Sequence, residues 1–291
     1  MVGDYVRNKL KGEGHDVVRI VRRRRGDRAP DIYISMREGT VDMRKFEGQQ
    51  AVIHLAGAPI VDKRWSKERK ELIYDSRVKG TRILCEAIAK VKRRPKILLS
   101  ASAIGYYGDR GDEILDESSS SGDGFLAEVC RDWEAAVQPA VDVGVRVVLM
   151  RFGIILSTEG GVLARMMPVF NRGMGGKLGS GDQYMSWISL QDVYYVISDL
   201  LHDDRVEGPI NMVSPGPVTN TQFTKALGKA MHRPTMMGAS ERMLRLAMGE
   251  MADEALLASQ KVIPKRLVDA DYDFRFKDIE KTLDHLVNYK L

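Results

Sequence analysis

Three short runs, "QAVIHLAG" (50–57), "KILLSAS" (96–102) and "VRVVLMRFG" (145–153), are apolar along nearly their whole length rather than at alternate positions. That is how a strand reads when both of its faces are covered. Apolar residues at helical spacing fill the intervals, from Lys67 to about Lys92 and over "FLAEVCRDWEAAV" (125–137). Strands alternating with helices in this way predict an α/β fold: a doubly wound parallel sheet with helices on both faces. In such sheets ligands bind beyond the carboxyl ends of the strands. Here those ends read "HLAGAP", "SASAIGYYG" and "RFGIILS", small residues and glycines that let a ligand come close.

Upstream of the first run, Val2, Val6 and Leu10 recur four apart before "KGEGH" stops the helix, and the β-branched "DVVRIV" (16–21) follows as a strand. Residues 26–50 are turn-rich, with "DIYIS" as a short strand near their start. From about residue 158 the texture loosens. "RGMGGKLGSG" lacks the lysine followed by Ser or Thr of a phosphate loop and reads as a substrate-facing loop. An apolar strand, a helix beginning near Asp192, and a mostly helical, Met-rich tail over 219–291 complete the chain. A methionine stripe at helical spacing predicts plastic core. Two parts are expected: 1–157, a nucleotide-binding domain, and 158–291, a substrate loop with returning strands and a helical C-terminal domain.

Charge and composition narrow the function classes. The formal net charge is +5, concentrated in Arg22–Arg25 and in "KVKRRPK" (90–96). Without interleaved aromatic residues or a binding motif, these blocks read as a solvated loop and a cationic helix terminus, so nucleic acid is not an expected partner. The two cysteines, Cys85 and Cys130, sit in helical patterns and read as reduced core thiols. Five scattered histidines offer no metal-ligand spacing. No apolar run reaches the length that spans a bilayer, and no membrane partner is expected.

The chain resembles the extended short-chain dehydrogenase/reductase superfamily, and within it the atypical "epimerase family" branch with a helical C-terminal domain of unknown function. The resemblance is carried in order by "AVIHLAGAPI", "RW" (64–65), "DSRVKGT", "SASAIGYYGD", "FLAEVCRDWEAA", "RFGIILSTEGGVLARM", "GMGGKLGSGDQYMSWISLQDV", "GPINMVSPGPVTNTQF" and "GEMADEALLASQKVIPKRL". It implies a Rossmann-like sheet, NADP as cofactor and a small polar substrate. Members open on a strand followed by G-x-x-G-x-x-G, and "MVG" matches only the last three positions, so Gly3 stands as the third glycine. The first strand is therefore missing from the expected order, which reads as an incomplete start and predicts poor cofactor binding. Any targeting segment would be missing with it, so the compartment stays open, with the cytoplasm as default. Extended members often pair through a four-helix interface, which makes a homodimer the assembly to expect.

The resemblance also distributes roles. Val21 and Arg22 end the second strand, where a guanidinium suits the 2′-phosphate of NADP. Leu55, Ala56 and Gly57 line the cofactor by their backbone, Arg77 faces its groove, and Ile155 lies at the nicotinamide end. Ser102 matches the catalytic serine. Counting back from Glu134, the usual Tyr-x-x-x-Lys pair falls on Leu126 and Cys130, so the standard proton donor is absent. Tyr106 and Tyr107 are the nearest substitutes, Tyr107 being the named candidate, while packing of the strand-end loop is the other reading. Lys177, Gln183, Tyr184 and Ser186 fall in the substrate-loop region, and Asp192 reads as a helix cap. Two functions fit: an NADP-dependent oxidoreductase or epimerase, and a non-catalytic NADP-binding scaffold or redox sensor.

Overall fold

The computed structural model describes residues 1–22 and 31–289. Arg23, Arg24 and Arg25 of the expected basic block lie outside the described residues. The chain runs from α1 (Val2–Gly12) through β1 (Ile20–Val21) to β2 (Ile32–Ser35) and its hairpin partner β3 (Thr40–Val41), then α2 (Met43–Phe46), β4 (Ala51–His54) and the long α3 (Lys67–Lys90). Ser66 starts α3 by accepting the Arg69 N–H at 3.2 Å. β5 (Ile97–Ala103) ends in a 3₁₀ turn over Ile104–Tyr107, followed by β6 (Ile114–Leu115), α4 (Phe125–Ala135), α5 (Gln138–Val141) and β7 (Arg146–Phe152).

After β8 (Ile154–Leu156) and α6 (Gly161–Asn171), the chain forms β9 (Tyr184–Met185) and β10 (Trp187–Ser189). It then returns to the sheet through α7 (Leu190–His202) and β11 (Gly208–Met212). The remainder is β12 (Val218–Thr219), α8 (Asn220–Ala230), α9 (Glu241–Met248), α10 (Glu250–Ala252), a π turn over Asp253–Leu257, β13 (Lys261–Val262), α11 (Lys265–Asp269) and α12 (Ile279–Asn288).

Four parallel strands in the order β11-β7-β5-β4 make the main sheet. Alternate residues feed its two faces. Ile97 and Leu99 of β5 and Val148 and Met150 of β7 meet Val6 and Leu10 of α1 and Val193 and Ile197 of α7. Leu98 and Val147 point the other way, onto Leu84, Cys85 and Ile88 of α3 and Ala140 of α5. Helices thus cover both faces, as the fully apolar runs require. β1, β2 and β3 form a separate sheet, and no ladder joins β1 to β4 among the described residues. The strand expected over 16–21 is accordingly cut to Ile20–Val21, which pairs with β2 on one side only.

The C-terminal part has its own apolar cluster: Leu163 and Phe170 of α6, Trp187, Phe223 and Leu227 of α8, and Leu283 of α12. Its methionines divide, against the expectation of plastic core. Met231 and Met251 are buried, whereas Met236, Met237 and Met243 are exposed. The latter three lie on a loop and on a helix with no buried residue, so periodicity alone misplaces them.

Gly153 joins β7 to β8 in a tightly packed position. Its N–H donates to the Met212 carbonyl at 3.2 Å, and a methyl group there would fall 2.5 Å from the Ser186 carbonyl oxygen and 2.7 Å from Val213 Cγ1. Gly153→Ala is expected to destabilise the chain by about 1–3 kcal/mol. Urea unfolding followed by circular dichroism measures this, and an unchanged midpoint would contradict the close approach.

Candidate functional site

At the carboxyl end of β4 the chain runs through half-buried Leu55 into exposed Ala56 and Gly57. Arg77, about three turns inside α3, reaches back to this point: its Nη1 donates to the carbonyls of Ala58 at 3.0 Å and Ile73 at 3.2 Å. A methyl group on Gly57 would come within 3.1 Å of the Arg77 Cζ, so the glycine makes room for the guanidinium. Arg77 is buried beneath the Trp133 ring, with its centroid 5.2 Å away. No carboxylate pairs with it among the described residues, and burial pushes its guanidinium below its ordinary pKa. A desolvated cation without a counter-ion is costly, and an anionic ligand would relieve that cost.

Behind it lies a buried polar layer between the sheet and α3–α4. Trp133 Nε1 donates to Thr81 Oγ1 at 2.8 Å, and the same hydroxyl sits 2.9 Å from His54 Nε2. Burial holds His54 at about 4, so its imidazole stays neutral.

The second cluster starts at Ser102. Its hydroxyl donates to Glu134 Oε1 at 2.6 Å. Arg151 clamps that carboxylate with two bonds of 2.8 Å, from Nε to Oε1 and from Nη2 to Oε2. The remaining Arg151 Nη1 donates to the Tyr107 hydroxyl at 2.9 Å, which in turn donates to Asn211 Oδ1 at 2.7 Å. Asn211 Nδ2 donates to the Ile263 carbonyl at 3.0 Å. The Arg151 guanidinium lies 3.6 Å from the Tyr106 ring centroid. One chain of bonds therefore links β5, α4, β7, the 3₁₀ turn, β11 and the C-terminal segment.

This arrangement changes what the candidate catalytic residues can do. Ser102 is buried and has spent its only proton on a carboxylate. Tyr107 is fully buried, its hydroxyl both accepts and donates within the chain, and burial pushes its pKa up to about 12 despite the adjacent Arg151. It is not the accessible phenol that a proton donor needs, because the ring fills core space between Ile104 and Leu115. At the superfamily's tyrosine and lysine positions, Leu126 and Cys130 pack against Gly105. The Cys130 thiol is raised to about 12 by burial and is inert.

The other sequence candidates fall into place around these clusters. Val21 is half-buried at the end of β1, and Arg22 is exposed beside it, with no ion-pair partner among the described residues. Ile155 and Leu55 pack on the same apolar cluster, and Met1 lies against Gly160 and Gly161, bringing the start of α1 to β8. α1 has no side-chain cap, so its first N–H groups are available to an anion. Around Gly3 a methyl group would meet nothing within 4 Å, so the close strand contact expected of that glycine is absent among the described residues.

Ser189, not Asp192, caps α7, accepting the Asp192 N–H at 2.9 Å. The Asp192 carboxylate instead accepts the N–H groups of Arg275 at 3.0 Å and Phe276 at 3.1 Å. Gln183 and Ser186 also serve structure, donating to the carbonyls of Leu256 at 3.2 Å and Gln260 at 2.8 Å.

Glu254 was invisible to pattern reading. Its carboxylate accepts from the N–H groups of Phe125 at 2.9 Å and Leu126 at 2.7 Å, closing the N-terminus of α4, where the cap residue is a glycine. Trp65 stacks edge-on to Phe125 at 5.1 Å, and Lys70 pairs with Glu250 at 2.6 Å, so the tail is fastened over the loop that follows β4. Arg151 was legible only as an oddity, a charge inside the apolar run "VLMRFG".

Comparison with known proteins places the chain by family and by fold. The model of the NAD dependent epimerase/dehydratase family matches residues 1–212, and a domain of unknown function matches 240–286. An epimerase family protein of Mycobacterium tuberculosis is 40% identical over 285 residues, covering 98% of this chain and 94% of the relative. The crystal structure of human epimerase family protein SDR39U1 with NADPH superposes with a TM-score of 0.90 at 27% identity, covering 100% of this chain and 97% of that one. A nucleoside-diphosphate sugar epimerase from Corynebacterium glutamicum gives 0.80 at 35% identity, covering 100% of this chain and 56% of its own.

Two predictions follow from the buried layer. Arg151→Met strands the Glu134 carboxylate and is expected to cost about 3–5 kcal/mol, most of which the double variant Glu134→Leu/Arg151→Met restores. Equal losses in single and double variants would show that the pair is not the cause. For His54, the folded imidazole titrates near 4, against an ordinary value of 6.5. The unfolded chain therefore binds the proton first, and stability is lost as pH falls below 6.5 toward 4. His54→Gln is expected to flatten that part of the stability profile by up to about 1.4 kcal/mol per pH unit. Identical wild-type and variant slopes in urea titrations would contradict it.

Proposed function

The chain belongs to the NAD dependent epimerase/dehydratase family, and from that premise we propose that it binds NADP beyond the carboxyl ends of β4, β5 and β7 as an oxidoreductase or epimerase of a small polar substrate. The observation that carries this reading is Arg77, a buried cation without a carboxylate, set against a glycine at the strand end. It fits an anionic dinucleotide. The uncapped N–H groups of α1, with Gly3 in the first turn, suit the pyrophosphate. Arg22, exposed at the end of β1 beside Val21, suits the 2′-phosphate. Leu55, Ala56 and Gly57 would line the cofactor by their backbone, and Ile155 would meet its nicotinamide end. When bound, the nicotinamide supplies hydride chemistry for a carbonyl, a sugar or an alcohol. The human relative solved with NADPH supports this choice of cofactor.

A second reading has its own support: a non-catalytic NADP-binding scaffold or redox sensor. The Ser102 hydroxyl is engaged in a hydrogen bond to Glu134, and Tyr107 is sealed between Arg151 and Asn211. Neither group holds a proton ready for a substrate.

Titration of the purified chain with NADPH and NADH tests the cofactor site. Arg22→Ala is expected to weaken NADPH by about 10- to 150-fold while leaving NADH nearly unchanged. Arg77→Met is expected to weaken both. Equal effects of Arg22→Ala on the two cofactors would remove its assignment to the 2′-phosphate. Binding without NADPH oxidation across a carbonyl panel would favour the scaffold over the enzyme.

A further inference from the structure

The exposed methionines of the tail lie near one another along the chain. The Met237 N–H donates to the Gly175 carbonyl at 3.2 Å, which places Met236 and Met237 beside Met174. Three residues on, Ser240 caps α9 by accepting the Met243 N–H at 3.3 Å. Three extended residues span at most about 11 Å, so Met237 and the start of α9 are close neighbours. On α9, Met243 and Leu246 are three apart and share a face. None of these side chains is covered: Met236 is 89% exposed, Leu246 81%, Met243 63%, Met237 62% and Met174 45%. α9 as a whole buries no residue.

Arginines border this surface. Arg172 directly follows α6, Arg233 donates its Nε to the neighbouring Asn171 carbonyl at 3.1 Å, and Arg242 lies on α9. All three are exposed, and none has an ion-pair partner among the described residues. Glu241, the acidic residue that opens α9, is held by Arg245 at 3.1 Å. Arg245 also holds Asp253 at 2.7 Å, and the exposed aliphatic side chains are left beside three exposed arginines without ion-pair partners among the described residues.

We propose that this face docks on an anionic lipid bilayer, with Met236, Met237, Met243 and Leu246 entering the acyl boundary and the arginines meeting the phosphates. Among the described residues no helix is long and apolar enough to cross a membrane, so the chain would lie on the surface. Charge complementarity selects the occupant. A second copy meeting this face across a two-fold axis would bring the arginines together, and the named patch offers no aromatic anchor of the kind on which protein interfaces centre. Flexible aliphatic side chains beside cations match a headgroup layer instead.

Co-sedimentation of the full chain with vesicles tests the proposal. Retention is expected on equimolar phosphatidylglycerol and phosphatidylcholine, but not on phosphatidylcholine alone, and is expected to fall as salt shortens electrostatic reach. Met236→Asp/Leu246→Asp should abolish it, and Arg172→Glu/Arg242→Glu should lower it by at least about tenfold. These four positions are exposed, so an unchanged unfolding midpoint checks that the fold persists. No retention on anionic vesicles, equal retention on both kinds, or retention unaffected by the variants would overturn the proposal. A concentration-dependent dimer dissolved by Leu246→Asp would assign the face to a second copy and overturn it as well.

Discussion

The clamp of Arg151 on Glu134 is the constraint around which the interior is organised. Its side chains are only 4% and 11% exposed, and each charge is tolerable only because the other is there. Neighbouring polar groups are recruited to it. Ser102 donates a hydrogen bond to the carboxylate, Tyr107 accepts from the guanidinium, and Asn211 passes the chain of bonds on to the C-terminal segment. A strand of the sheet, the helix that in short-chain reductases carries the proton donor, and the tail are thereby held to one another.

The two buried arginines make an instructive contrast. Arg151 is satisfied entirely within the protein and stabilises it. Arg77, equally withdrawn from water, bonds only to backbone carbonyls through Nη1 and has no compensating charge. Proteins seldom leave a buried cation unpaired unless something else supplies the anion. The functional reading therefore rests on the unpaired arginine, while the paired one explains why the expected serine and tyrosine are occupied.

The tail acts on the site from outside. Glu254 closes the exposed end of α4, and Lys70 and Trp65 hold the loop after β4 beneath it. Asp192 fastens the segment around Arg275 from below by accepting two N–H groups. These contacts cover the strand ends, yet leave α9 of the tail with no buried residue.

Much of this was written locally in the chain. The fully apolar runs predicted β5 and β7 to within a residue and β4 to within three at its end, and helical spacing predicted α3 and α4, because burial on two faces or on one stripe leaves a pattern in neighbouring residues. Arg22, Gly57 and Ser102 could be placed at strand ends for the same reason, whereas Arg77, inside α3, was assigned through the family resemblance alone. The sequence did not reveal that Ser102 donates to Glu134, that Tyr107 is sealed, or that Asp192 serves residues 275 and 276. Each depends on partners from 32 to 104 positions away, or on which hydroxyl faces inward. Nor did it reveal which methionines stay in water, since a helix stripe looks the same whether or not anything covers it. Local periodicity determined the elements and their order. Only the tertiary structure decided which polar groups pair, because a buried charge selects its partner by distance in space and not along the chain.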